Sequence, residues 1–307
     1  MLLKRLSVVA IETEATSGTA ETLVAADSNF NIYNATTTPS IETRERMRED
    51  SFSSRRSSVG PRSGSISFMV DITGDGAAGV PTWAAELLPA CGFVNNSGTF
   101  EAKAEAPGSN VKTLTIGHYE NVRKKLLYGC AGNVKFTLQS GQDAMAEFTF
   151  TGVWGGVTDE AMPSPTYPSD IPLRFAGSTM TLGGDTLCVQ QVEVDAGNNV
   201  VLREDATNAT GFKSAIVSDR KVVGTLDPEA ELVATKDVYG NWLAGTEEAL
   251  IVDVKDATDK MTLSMPKAQI TTIADGERNQ LRTDQISFKA NFDSAANDEL
   301  TIAFGAP

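Results

Sequence analysis

Ser65-Ile66-Ser67-Phe68-Met69-Val70-Asp71-Ile72 decides the class of fold. Ile66, Phe68, Val70 and Ile72 share one face, while Ser65, Ser67 and Asp71 fall on the other. Period two of this kind marks a strand with one face on a core and the other on something polar. The pattern recurs along the chain. Asn133 to Gln139 sets Val134, Phe136 and Leu138 against Lys135, Thr137 and Gln139, and Glu147 to Thr151 and Gln285 to Phe292 alternate around aromatic residues. Helix is scarce. One is predicted over Pro81 to Leu88, with proline near its start and Gly92 closing it, and a second from about Lys236 to Leu250 around Trp242. Trp83 and Trp242 read as the core anchors of these two helices. The fold class is mainly β, a barrel or sandwich with short flanking helices.

The order of parts repeats. Each half offers a strand, a long polar loop, a long alternating strand, a Trp-bearing helix and strands joined by a glycine turn. Arg62 to Arg220 and Phe68 to Leu226 are each 158 residues apart, and Trp83 to Trp242 is 159. Later, Ser140-Gly141-Gln142 matches Asp275-Gly276-Glu277 at 135, and Phe148-Thr149-Phe150 matches Ile286-Ser287-Phe288 at 138. This predicts two β domains, 1–165 and 166–307, the second a duplicate of the first. Their junction is the proline-rich Met162 to Pro168, which cannot belong to a central strand.

The charge balance narrows the function. With 26 basic and 40 acidic groups the net charge of the 307 residues is −14, against a protein that grips nucleic acid over its whole surface. The acidity is uneven, −4 over residues 1–165 and −10 over 166–307. Cys91, Cys130 and Cys188 are too few and too widely spaced for a disulfide framework or a zinc site, and read as small buried residues of a chain made in a reducing compartment. After Met1-Leu2-Leu3-Lys4-Arg5 the apolar run is too short for a signal peptide, and no stretch approaches the ~20 apolar residues of a membrane span.

Catalytic and cofactor motifs fail in turn. Gly74-Asp75-Gly76-Ala77-Ala78-Gly79 spells a dinucleotide fingerprint, but the strand before it alternates and Pro81 separates it from the helix, so it reads as a flexible turn. As a calcium loop it would end on Thr82, which offers no carboxylate. His118, the only histidine, has no nucleophile elbow to serve and reads as a polar surface residue at a strand end. Ser264-Met265-Pro266-Lys267 has no companion motif. No catalytic residue, cofactor or metal is expected, and the chain does not read as an enzyme.

The segment Glu42 to Arg62 stands out, with Arg44, Arg46, Arg48, Arg55, Arg56 and Arg62 among Glu42, Glu45, Glu49 and Asp50. Three readings are open: a nucleic-acid arm, weakened by the interleaved acids; a solvated loop; and a loop meeting an acidic surface on another copy, where arginine forks suit carboxylates.

Several pieces, in this order, resemble the tail tube (major tail) proteins of long-tailed bacteriophages. They are Val8 to Ala20; Gly74-Asp75-Gly76 leading to Val80-Pro81-Thr82-Trp83 and Leu87 to Phe93; Gly129-Cys130-Ala131-Gly132-Asn133; and Phe148 to Gly152. The second half adds Val194 to Asn198, Ser218-Asp219-Arg220-Lys221 and Asn297 to Ile302. The resemblance implies tandem tube-type β-barrel or sandwich domains in a structural virion protein, assembled in the host cytoplasm. Such subunits complete a continuous inner sheet across neighbours, and the rings stack around a tape measure protein into the hollow conduit for DNA ejection, capped by tail terminator and tail-tip proteins.

If both halves are tube domains, the ring is a homotrimer with pseudo-sixfold symmetry. A hexameric ring with an outward decoration domain is the rival. Genomic DNA would pass a neutral or acidic lumen without specific binding. The arginines of 42–62, with Arg203 and Arg220 of a counterpart loop at 199–220, become the candidate contacts between subunits or rings. Outside this reading stand another ring-forming virion part, such as a terminator or decoration protein, and a monomeric ligand-binding sandwich displaying Trp154.

Overall fold

The computed structural model describes residues 5–104, 111–294 and 297–307; the opening Met1 to Lys4 lies outside the described residues. The first half runs β1 (Ser7–Thr13), β2 (Ile32–Met47), β3 (Ser54–Asp71), α1 (Thr82–Leu87), β4 (Phe93–Asn96) and β5 (Thr99–Ala102), then β6 (Leu114–Glu120), β7 (Arg123–Gln139) and β8 (Met145–Asp159). The second runs β9 (Thr179–Leu182), β10 (Asp185–Thr186), β11 (Val189–Asp195), β12 (Asn198–Glu204), β13 (Phe212–Arg220) and β14 (Val223–Pro228). It ends with α2 (Val238–Ala244), β15 (Glu247–Lys255), β16 (Lys260–Arg278), β17 (Leu281–Asn291) and β18 (Thr301–Gly305). Sixteen of these strands form one antiparallel sheet system, and β12 and β13 pair apart from it.

Both halves wind their strands in the same order. The first pairs β1-β6-β7-β8-β3-β2 and the second β9-β15-β16-β17-β14-β11. With the short extra strands set aside, each sequence is first, fourth, fifth, sixth, third, second. The registers coincide as well. Ile66 and Phe68 of β3 face Phe150 and Phe148 of β8, as Gly224 and Leu226 of β14 face Phe288 and Ile286 of β17. Even the irregularities recur: β2 bulges between Tyr33 and Thr36 and β11 between Val189 and Val192, at matching positions.

The halves meet strand to strand. β11 pairs with β7, Asp195 opposite Lys135 through to Gln191 opposite Gln139, and β18 pairs with β5. One apolar cluster therefore runs through both, from Ile66, Phe148 and Phe150 to Leu226, Phe288 and Ile302. Phe148 and Phe150 stack at 5.9 Å, and Trp83 of α1 packs edge-on against Phe148 and, at 5.6 Å, against Phe304 of β18. Burying rings of this size dominates the stability of such a core.

Several expectations need correction. The second helix is shorter than its pattern, because Gly245 takes the left-handed conformation (φ 66°) that closes it, and residues 247–255 follow the period-two rule as β15. The turn of the second half is Asn279-Gln280, both at positive φ, and Asp275-Gly276-Glu277 lies inside β16. A two-residue hairpin with positive φ at both centres matches the twist of its strands, and asparagine tolerates it. The loop at 42–62 is a ribbon, the outer ends of β2 and β3, with Ile41 opposite Arg62 and Arg46 opposite Arg55. Pro39 and Pro61 fit there because β2 is an edge strand and β8 pairs with β3 only from Ser63 inward.

Candidate assembly surface

Three features of the sheet are open to another molecule: a polar face, strand edges without a partner among the described residues, and an exposed ribbon. The polar face collects Ser65 and Ser67 of β3, Glu147 and Thr149 of β8, and Lys135 and Thr137 of β7. It continues across the joint with Glu193 and Asp195 of β11, Thr225 of β14, and Ser287 and Lys289 of β17. These are the alternate residues of strands whose other sides form the core, so the sheet's twofold period dictates a wet face. Its charges pair laterally. Lys135 Nζ lies 2.9 Å from Glu193, and Asn133 Nδ2 donates to Asp195 at 2.7 Å. The bond to Glu193 raises the pKa of Lys135.

The ribbon is exposed. Arg44, Arg46, Arg48, Arg55 and Arg56 stand in solvent and Arg62 is half-buried. Two of them are occupied locally: Arg44 Nε donates to Glu42 at 2.8 Å and Arg48 Nε to Asp50 at 2.7 Å. Between them the ribbon presents Ile41, Met47, Val59 and a fully exposed Phe52. A two-stranded ribbon has no core of its own, so this apolar content marks a segment that packs on something else.

Its counterpart takes another course. The hairpin of β12 and β13 folds back across β7, β8 and β3 of its own chain. Thr210 O accepts from Arg62 N at 3.0 Å, and Gly129, at φ +58°, lets Ser214 approach so closely that a Cβ there would sit 2.9 Å from its Cα. Arg220, expected as a contact to other subunits, is buried inside this fold-back. Its Nη2 donates to Gly92 O at 2.9 Å, its Nε to Asn198 Oδ1 at 2.9 Å, and Glu299 lies 3.6 Å away. The guanidinium also sits 5.0 Å over the Phe93 ring. Burial lowers its pKa and Glu299 opposes the shift, so it remains a cation clamped within one chain. Arg203 stays exposed on β12.

The tryptophans separate too. Trp83 is buried and donates to Thr73 O, whereas Trp242 is 40% exposed, so it is no core anchor. It holds α2 against β16 through Nε1 donating to Thr271 O at 3.1 Å. Trp154 is buried at 6%, which removes the aromatic platform of the ligand-binding alternative.

His118 is buried rather than on the surface, with Nε2 2.8 Å from Ser7 Oγ and Nδ1 2.8 Å from Thr37 Oγ1, and burial lowers its pKa. Cys91 and Cys130 are buried and Cys188 is exposed. The glycine loop at 74–79 is fastened rather than flexible: Asp259 accepts from Gly76 and Ala78 N–H, and Asp75 from Ala77 and Gly79 N–H. Side-chain carboxylates of the chain itself thus occupy the donors that a phosphate would need.

One cluster went unread in the sequence. Glu14, 2% exposed, accepts from Gly18 N at 2.7 Å, Gly129 N at 2.6 Å, Thr113 Oγ1 at 2.6 Å and Thr115 Oγ1 at 3.0 Å. It ties the opening segment to β6 and β7. Its signal was a lone acid between the apolar strand and Gly18, in a stretch noted only for its resemblance.

The arrangement offers unpaired edges, a wet face and an exposed ribbon. Among the described residues, no helix is long and apolar enough to cross a membrane. No curated protein matches the chain significantly. The family described as phage tail tube protein matches residues 4–290, nearly the whole length. The chain belongs to the phage tail tube protein family.

Proposed function

We propose that this chain builds the hollow tube of a phage tail as stacked homotrimeric rings with pseudo-sixfold symmetry, residues 1–165 and 166–307 being duplicated tube units. The observation that carries it is the joint between β11 and β7, which links two copies of one strand order edge to edge within a single sheet. Three such chains joined the same way make a closed circle of six units. The shared order and the shared bulge favour duplication over a hexamer with a decoration domain, since a decoration domain has no reason to copy the tube unit.

The wet face would then line the lumen, where the tape measure protein lies during assembly and genomic DNA passes on ejection. Glu147, Glu193 and Asp195 stand there against Lys135 and Lys289, with Lys135 already paired to Glu193. Such a surface repels phosphate more than it holds it, so DNA slides without specific contacts. Terminator and tail-tip proteins would close the two ends of the tube, the whole being assembled in the host cytoplasm and carried in the virion; the role is structural, without catalysis.

Electron microscopy of the concentrated protein tests this. Stacked rings with an open channel and three repeating outer features per ring are expected. Single rings that never stack would favour a terminator-type part, and six identical features would favour the hexamer.

A further inference from the structure

The internal joint leaves its two counterparts unpaired. β11 uses its outer edge on β7, while the matching edge of β2 has no partner among the described residues, nor has the edge of β16 that matches the paired part of β7. The coincident registers transfer the joint residue by residue. Through β3 and β14, Thr37 corresponds to Val194, and through β8 and β17, Asp275 corresponds to Phe136. The internal pairs run from Gln191 with Gln139 to Asp195 with Lys135. They become Asn34 with Arg278, Ala35 with Glu277, Thr36 with Gly276, Thr37 with Asp275, and Thr38 with Ala274.

The chemistry changes between the two. On the core side the internal joint packs Val192 and Val194 beside Phe136 and Leu138, all fully buried. The corresponding open positions are Ala35, Thr37, Asp275 and Glu277, and the two acids are exposed. Among the described residues, Asp275 is held by a single 3.4 Å hydrogen bond from Tyr239. The edge of β2 borders a cleft of about 920 Å³, lined by Ile32 to Thr37 together with Arg5, Arg123 and Lys125 against one carboxylate, Glu120. Where the internal joint packs four apolar side chains into a core, the open one has two acids on one side and a cationic cleft on the other.

Resting on the ring reading above, we infer that the ring closes through an electrostatic version of the internal joint. Asn34–Thr38 of one copy pairs antiparallel with Ala274–Arg278 of the next, and Asp275 and Glu277 enter the cleft of Arg5, Arg123 and Lys125. The partner is a second copy of this chain. Charges on an open edge keep the free subunit from adding strands indiscriminately, and they make ring closure more sensitive to salt than the internal joint, whose core side is apolar and whose wet side holds the Lys135–Glu193 pair.

The test places cysteines at Thr38 and Ala274, both exposed on the wet face, with Cys188→Ser to remove the exposed native thiol. Residues directly opposite across strands hold their Cβ atoms about 4.5–5.5 Å apart, within reach of a short thiol cross-linker. In tubes assembled from this chain, with tail-tip seed and tape measure protein supplied, covalent dimers and closed trimers are expected, and neither single-cysteine variant should give them. Tubes that form but do not cross-link would overturn the inference and leave the ring reading standing. If the unsubstituted chain forms no tubes under these conditions, both fall. Asp275→Lys with Glu277→Lys, checked for native circular dichroism, should raise the protein concentration needed for assembly about tenfold or more. Assembly at an unchanged concentration would overturn the electrostatic part.

Discussion

Two hairpins occupy the same place in the two halves and come to different ends. The ribbon continues β2 and β3 outward as the same two strands, whereas β12 and β13 break away from β11 and β14 and lie back across the first half. A single residue type accounts for much of this. Gly197 sits at φ +64° where a Cβ would be 1.9 Å from Lys221 O, so only glycine permits the kink. The matching position of the ribbon is Ser40, paired with Ser63 inside the continuous run from Thr36 to Ile41. Arg62 and Arg220, alike in sequence, are thereby parted: one lies along the ribbon and the other is buried under the fold-back. Residues at matching places in the two halves share a register, and their contacts are decided by the backbone around them.

The sharpest way to probe the contrast between the halves is at the joints. Phe136→Ala removes a fully buried ring from the internal joint and should cost about 3–5 kcal/mol in chemical denaturation. Asp275→Ala, at the matching open position, should leave the denaturation midpoint unchanged. A similar loss at both sites would mean that β16 is already covered within the single chain, and the distinction between a permanent and an assembly-made joint would be lost.

How far the sequence spoke follows the same division. Alternation announced β3, β7, β8 and β17, since a half-buried strand writes its two faces directly into the chain. The spacing of 158 residues between Phe68 and Leu226 holds in the registers, because both positions face the same strand of their halves. The turn match at Asp275-Gly276-Glu277 failed: a glycine inside a strand looks like a turn until the positive φ angles at Asn279 and Gln280 are seen. The ribbon was legible as a charged segment but not as strand, because an edge with both faces wet carries no alternation. Arg220 could not be assigned, since its partners Gly92, Asn198 and Glu299 come from three distant segments, two of them acting through uncharged groups. For the same reason Glu14 passed unnoticed, its donors being two hydroxyls and two backbone amides.

Next in size is the clamp that holds the second hairpin down. Arg220→Met keeps an unbranched stem but loses the guanidinium that sits over Phe93, and leaves Glu299, Asn198 and the Gly92 carbonyl without their donor. Loss of charge-assisted hydrogen bonds beside a half-buried carboxylate should lower stability by about 2–3 kcal/mol. Hydrogen exchange should report it as faster opening of β12 and β13, with β2 and β3 unaffected. Equal loosening of both hairpins would show that Arg220 supports the whole molecule and does not set the two apart.

The smallest effect on the fold is expected on the ribbon itself. Arg55 and Arg56 are exposed and, among the described residues, pair with no carboxylate, unlike Arg44 and Arg48. Replacing both with glutamate should leave the melting temperature where it was, since surface changes away from caps and cores rarely register. The ribbon carries two more cations than anions over 42–62, and the second half is net −10, so on the proposed assembly the reversal would turn attraction between copies into repulsion. Sedimentation should then find folded protein that no longer stacks into tubes. Tubes of ordinary length from this variant would show that the arginines contribute nothing to assembly. The ribbon's contacts would then rest on Phe52, Met47, Ile41 and Val59, the apolar residues it exposes without a core of its own.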